Sequence, residues 1–180
     1  MKQMRILRAQ DRKAMPWKNG GGTTSEIAVH PPGAGLDDFG WRVSIAEVRS
    51  GGPFSLFPQI DRRIAILKGS MTLAIDGKAP VTLSPETQPL TFPGDVATDA
   101  KLIEGAVTDL NVMTRRGAYV SRMARREVAR EVSLHPRATT LILARTAASF
   151  TEGGNTFALS PGDALITEGN PRISFAAAGE

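Results

Sequence analysis

From Glu26 onward the chain is broken into short runs of apolar and β-branched residues, each closed by glycine, proline or aspartate. Trp41–Val48 and Val107–Met113 alternate cleanly, Arg62–Leu67 and Met71–Ile75 are joined at Lys68-Gly69-Ser70, and Asp76-Gly77 is a hairpin signal. Further runs at Val81–Leu83, Leu90–Phe92, Lys101–Ile103, Thr139–Arg145, Thr156–Leu159, Ala164–Thr167 and Arg172–Phe175 continue the series. Strands this short, about 8–12 residues apart with turn residues between them, point to a sandwich or barrel rather than to βαβ units. A Pro-Gly-Asp turn occurs in each half, at Pro93–Asp95 and Pro161–Asp163. That echo is weak, and it fits one jelly-roll barrel followed by a partial second one. The expectation is an all-β chain with a first barrel over residues 1–116 and a smaller half over residues 117–180 packed against it.

Within this frame Trp41–Val48 places Trp41, Val43, Ile45 and Glu47 on one face and Arg42, Ser44, Ala46 and Val48 on the other, with Trp41 expected in the core. Between Arg115 and Arg130 six arginines fall in sixteen residues. The expectation there is a solvated linking segment; an amphipathic helix or a basic-faced strand pair is the alternative.

The most distinctive stretch is Met15-Pro16-Trp17-Lys18-Asn19-Gly20-Gly21-Gly22-Thr23-Thr24-Ser25-Glu26. Three glycines permit positive φ and leave backbone N–H groups uncovered, as a cradle for an anionic or carbonyl oxygen requires. Trp17 adds an aromatic plane, Lys18 a mobile cation and Asn19 a two-sided amide. A plain turn with a core Trp and a solvated Lys explains the same residues equally well.

Composition removes several function classes. The chain has no Cys, so neither a disulfide framework nor a thiolate metal site is available. It has two histidines, His30 and His135, each before a proline and neither in a His-x-His pair. Both read as surface residues, so no metal and no cofactor is expected. No Gly-x-Ser-x-Gly elbow is present and no motif sets a His beside a candidate Ser, so covalent catalysis is not expected. Residues 1–15 carry charges without an apolar run, so no secretory leader and no membrane partner is expected. A formal charge of +4 leans only modestly toward acidic ligands, and nucleic acid is not favoured as a partner.

Pro16–Ile27, Trp41–Ala46, Phe54–Pro58, Asp61–Arg63 and Asp109–Met113, in this order and spacing, resemble the HutD/Ves family of bacterial bicupin proteins. The resemblance implies a bicupin fold, a cytoplasmic setting and a link to histidine utilisation; the family carries no firmly established enzymatic activity. Combined with the residue reading, it gives an expected ligand site of Trp17, Lys18, Asn19, Gly20, Gly21, Glu26, Arg62, Phe92, Asp109 and Asn111. Cationic and amide donors, two carboxylates and apolar walls suit a small carboxylate-bearing metabolite, bound without metal in a sensing, buffering or regulatory role. Glu26 and Asp109 are inside strands, where an inward carboxylate without a partner is costly. The alternative is a metal-independent enzyme using them as acid and base. A homodimer is left open.

Overall fold

The computed structural model describes residues 3–128 and 131–177. Among these the only helical turn is a short 3-10 turn at Ala9–Asp11; the regular structure is otherwise β. The first eleven strands are β1 (Gln3–Leu7), β2 (Ala14–Pro16), β3 (Gly22–His30), β4 (Trp41–Val48), β5 (Gly52–Pro53), β6 (Ile60–Lys68), β7 (Met71–Ile75), β8 (Val81–Leu83), β9 (Leu90–Pro93), β10 (Thr98–Leu102) and β11 (Val107–Arg115). Six more follow: β12 (Val132–Leu134), β13 (Thr140–Leu143), β14 (Ala148–Glu152), β15 (Asn155–Leu159), β16 (Ala164–Glu168) and β17 (Ile173–Ala177). No helix among the described residues is long and apolar enough to cross a membrane.

The chain divides into two compact units, one of Lys13–Arg125 and one of Met1–Arg12 with Arg126–Glu180. The larger unit holds a six-stranded antiparallel sheet in the order β2-β3-β4-β11-β6-β9 and a four-stranded one in the order β5-β10-β7-β8. Alternate residues of both sheets meet in one apolar core that includes Val48, Ile64, Ile66, Met71, Leu73, Leu83 and Val107. A second, smaller group of Phe39, Ile60 and Met113, with Phe57 against it, packs near the ends of the strands.

The smaller unit holds the sheets β1-β16-β13 and β12-β17-β14-β15 around Phe150, Leu159, Leu165, Ile173 and Phe175. Here the expected boundary needs correction, because residues 3–7 pair with β16 rather than with the first barrel. Met4 and Ile6 pack on the apolar core of the smaller unit, and Asp163 fixes the junction. Its carboxylate accepts from Arg8 Nη1 at 2.7 Å, Ala9 N at 2.8 Å and Ser160 N at 3.0 Å. Local pattern does not reveal a pairing across more than 150 positions.

Two further expectations change. Trp41 is not in the barrel core: its ring stacks on His30 on the outer face, with centroids 5.6 Å apart. Arg42, Ser44, Ala46 and Val48 are the inward residues of β4. The arginine-rich segment shows no helix over its described part and is not simply solvated. Arg115 donates to the Phe39 and Asp37 carbonyls, Arg116 pairs with Asp61 at 2.9 Å and Asp95 at 3.0 Å, and Arg125 donates to the Pro85 carbonyl. These bonds tie the chain after β11 to the barrel. Ala129 and Arg130 lie outside the described residues.

Candidate functional site

In an antiparallel sheet, residues directly opposite one another share a face, so the register reads out the barrel interior row by row. One row runs Thr24, Ala46, Asp109, Ile66; the next runs Glu26, Ser44, Asn111, Ile64, Leu90; a third runs Val29, Arg42, Met113, Arg62, Phe92. A shift between Glu26 and Ala28 in β3 brings Val29 onto the face that Glu26 occupies. The interior of the six-stranded sheet therefore carries a polar layer of Glu26, Arg42, Ser44, Arg62, Asp109 and Asn111 beside apolar neighbours.

Arg42 Nε donates to Glu26 Oε2 at 2.8 Å, with the Arg side chain buried and the Glu side chain 35% exposed. Glu26 is thus the rim of the layer. Arg62 is buried, and its guanidinium carbon lies 4.8, 5.9 and 5.3 Å from the ring centroids of Phe54, Phe57 and Phe92. This aromatic box holds the cation by its π faces. Among the described residues its Nε has no hydrogen-bond partner, and neither has Asn111 Oδ1. Burial pushes the Asp109 carboxyl up to about 7, against an opposing pull from the Arg62 charge. Burial also lowers Arg62 to about 10, with Asp109 pulling the other way. Each group thus resists losing water more than the other relieves it.

Of the expected site residues, the fold brings together Glu26, Arg62, Phe92, Asp109 and Asn111. Trp17 joins them at the edge: its Nε1–H donates to Thr24 Oγ1 at 2.8 Å, and its ring packs on the apolar core. Lys18, Asn19, Gly20 and Gly21 are not part of this layer. They form the turn between β2 and β3, closed by Trp17 N–H to the Gly22 carbonyl at 2.9 Å and Gly20 N–H to the Trp17 carbonyl at 3.0 Å. Asn19 Oδ1 accepts from Gly21 N at 3.0 Å, and Lys18 and Asn19 are exposed. The glycine N–H groups are spent on the turn rather than offered to a ligand. Gly22 is required by crowding, since a Cβ there would stand 2.4 Å from the Glu47 carbonyl oxygen and 3.1 Å from the Trp17 ring.

Sequence reasoning missed Arg42, Ser44, Phe54 and Phe57. The alternation Arg42, Ser44 opposite an apolar Val43, Ile45 face was the available signal, but it was read with the apolar face inward. Two open surface depressions include none of the layer's polar residues, one lined by Arg49, Gly51, Asp99 and Lys101, the other by Phe54, whose ring also meets Arg62, with Leu56, Asp76, Lys78 and Thr98. Neither includes an orphaned polar atom, so the buried layer is the better candidate.

Comparison with known proteins gives the layer a setting. The HutD family model matches residues 9–180. An uncharacterized 21.2 kDa protein in the hutC 3' region of Pseudomonas putida is 43% identical over 124 residues, covering 68% of this chain and 64% of that protein. Protein Ves of Citrobacter koseri is 43% identical over 110 residues, covering 59% of this chain and 56% of that one. The matched region thus spans less than two thirds of either curated relative. Among solved structures, a conserved protein of unknown function, PA5104 of Pseudomonas aeruginosa, has a TM-score of 0.87 at 36% identity over 97% of this chain and 93% of that one. HutD of Pseudomonas fluorescens, solved in a formate condition, has a TM-score of 0.69 at 31% identity over 97% of this chain and 94% of that one. Oxalate decarboxylase of Bacillus subtilis, at 11% identity over 97% of this chain and 74% of that one, has a TM-score of 0.62 and shows the cupin fold alone.

Proposed function

Because this chain belongs to the HutD family, we propose that its larger unit binds a small carboxylate-bearing metabolite inside the barrel, without metal, in a sensing, buffering or regulatory role in the cytoplasm. The observation that carries this reading is the pair of orphaned atoms, Arg62 Nε and Asn111 Oδ1, buried in adjacent rows of one face. A buried polar group without a partner costs about 1–3 kcal/mol. A carboxylate oxygen of a ligand relieves Arg62, and an N–H or O–H brought within reach, on the ligand or beside it, relieves Asn111. Arg62 suits the carboxylate because, among the described residues, no carboxylate lies at ion-pair distance from its guanidinium, which is held in place by three phenyl rings. Phe92, Leu90 and Ile64 supply apolar wall in the same rows. Intermediates of histidine degradation combine a carboxylate with an N–H donor, and the names of the relatives, HutD and a hutC-region protein, favour that class.

The test is a thermal-shift and calorimetric screen with urocanate, formiminoglutamate, formylglutamate and formate. Stabilisation by at least one is expected, lost in Arg62→Met and Asn111→Ala and retained in Lys18→Ala. If none stabilises the wild type, the reading is wrong. The raised carboxyl of Asp109 favours a second reading, acid–base chemistry on the same ligand. Its test is turnover of one of these compounds, abolished by Asp109→Asn and by Glu26→Gln.

A further inference from the structure

We infer that the anionic ligand enters this layer together with one proton, taken up by Asp109, so that the barrel binds a small monocarboxylate as the equivalent of its neutral acid. This rests on the binding reading above and adds the ligand's charge and proton stoichiometry to it.

The count of interior charges leads there. β3 contributes Glu26, β4 contributes Arg42, β6 contributes Arg62 and β11 contributes Asp109. β9 faces the layer with Leu90 and Phe92. The buried residues of the opposite sheet are Met71, Leu73, Ile75, Leu83, Thr98 and Ala100, none of them charged. Glu26 and Arg42 cancel at 2.8 Å, which leaves Arg62 and Asp109. Among the described residues Asp109 receives no side-chain or backbone hydrogen bond, and Arg62 acts on it only through space. Above about pH 7, where Asp109 is ionised, the layer without ligand is neutral. A monoanion seated on Arg62 leaves two carboxylates around one guanidinium, in surroundings with little water to screen them.

Two like charges in such a site do not both stay ionised; one takes a proton. The ligand's carboxylate touches the cation and keeps its ordinary acidity. Asp109 has no donor to stabilise its charge and is already held near neutral pH. The proton comes from bulk solvent and goes to an Asp109 carboxylate oxygen. The new O–H then stands on the same strand face as Asn111, two residues along, where Oδ1 is an acceptor without a donor. Protonation therefore removes a repulsion and supplies a donor near an orphaned acceptor. A dianion would leave one charge uncompensated, so monocarboxylates are the class selected.

The experiment is calorimetric titration of the whole protein with formate and with acetate at pH 6, 7, 8 and 9. At pH 8 it is repeated in two buffers of different ionisation enthalpy. We expect close to one proton taken up per ligand at pH 8 and much less at pH 6. Kd should be nearly flat from pH 6 to 7 and weaken by about tenfold per pH unit above pH 8. In Asp109→Asn, uptake should vanish and Kd become independent of pH over the whole range. Binding to the wild type without proton uptake at pH 8 overturns the proton coupling and leaves the binding reading standing. PH dependence that persists in Asp109→Asn overturns Asp109 as the acceptor. No heat with any carboxylate at pH 6, where Asp109 is neutral and Arg62 free, overturns the binding reading and this inference together. The wild-type proton count decides the matter even if the variant does not fold.

Discussion

Replacing Asp109 by Asn isolates the cost of carrying an ionised carboxylate inside the barrel. Asp109 is 3% exposed, and its carboxyl is held at about 7 against an ordinary value of 3.8. The folded state thus keeps a proton that the unfolded chain releases above pH 3.8. Stability associated with that proton is fully present below the unfolded value and is lost as pH rises through the folded one. At about 1.4 kcal/mol for each tenfold change in proton concentration, the whole effect is about 4 kcal/mol. About 3 kcal/mol of it falls between pH 5 and pH 8. Asn has the shape of the protonated acid and no charge to lose. The stability of the variant minus that of the wild type should therefore grow by about 3 kcal/mol from pH 5 to pH 8 and level off above it. Groups common to both proteins cancel in the difference. Urea unfolding followed by tryptophan fluorescence measures it, since Trp17 and Trp41 both lie in the larger unit. A difference that stays constant across this range would refute the reasoning, because it would mean that Asp109 is ionised in the folded state at pH 5 as readily as in the unfolded one.

Three more outcomes follow from packing. Ile64→Ala, at a position 1% exposed on the sheet's inner face, should cost about 2–5 kcal/mol. Trp41→Ala, at a half-buried outer-face position where the ring stacks on His30, should cost less, about 1–2 kcal/mol, and urea midpoints compare the two. Gly22→Ala should destabilise by about 1–3 kcal/mol or more because its Cβ meets the Glu47 carbonyl and the Trp17 ring, and the loss should be smaller in Gly20→Ala, where a Cβ meets nothing within 4 Å and only the positive φ resists. Asp163→Ala should leave two N–H groups and Arg8 without their acceptor, costing about 2–4 kcal/mol; limited proteolysis should then release residues 1–12 before any cut within 13–125.

How far the sequence disclosed this protein depends on whether the deciding force is local. The alternation along Trp41–Val48 is local, and β4 is found where it was expected. Which face turns inward is not local. It is decided by Glu26 meeting Arg42 across the β3–β4 register, and that register contains an irregularity at Ile27 that nothing in the residue pattern announces. A rule that sends the apolar face inward fails in a barrel built to hold a polar layer, so Trp41 was placed on the wrong side. Asp109 and Asn111 were legible through the Asp109–Met113 motif of the family resemblance and the cost of an inward carboxylate without a partner; in the structure they share the inner face with Val107 and Met113. The glycines misled for the opposite reason. Free backbone N–H groups at Gly20 and Gly21 suggested a cradle, whereas the Asn19 side chain and the Trp17 carbonyl take them up within the turn. Gly22 answers to Glu47, twenty-five positions away, and β1 answers to β16, still farther along the chain. A glycine's freedom is visible in sequence, but the neighbour that requires it is known only once the strands are paired. The polar layer was therefore legible through its inward carboxylate and amide on β11. Its cation–aromatic half, Arg62 among Phe54, Phe57 and Phe92, was legible only in part, because the loop after β5 folds back over β6 and β9 in a way that no short-range pattern encodes.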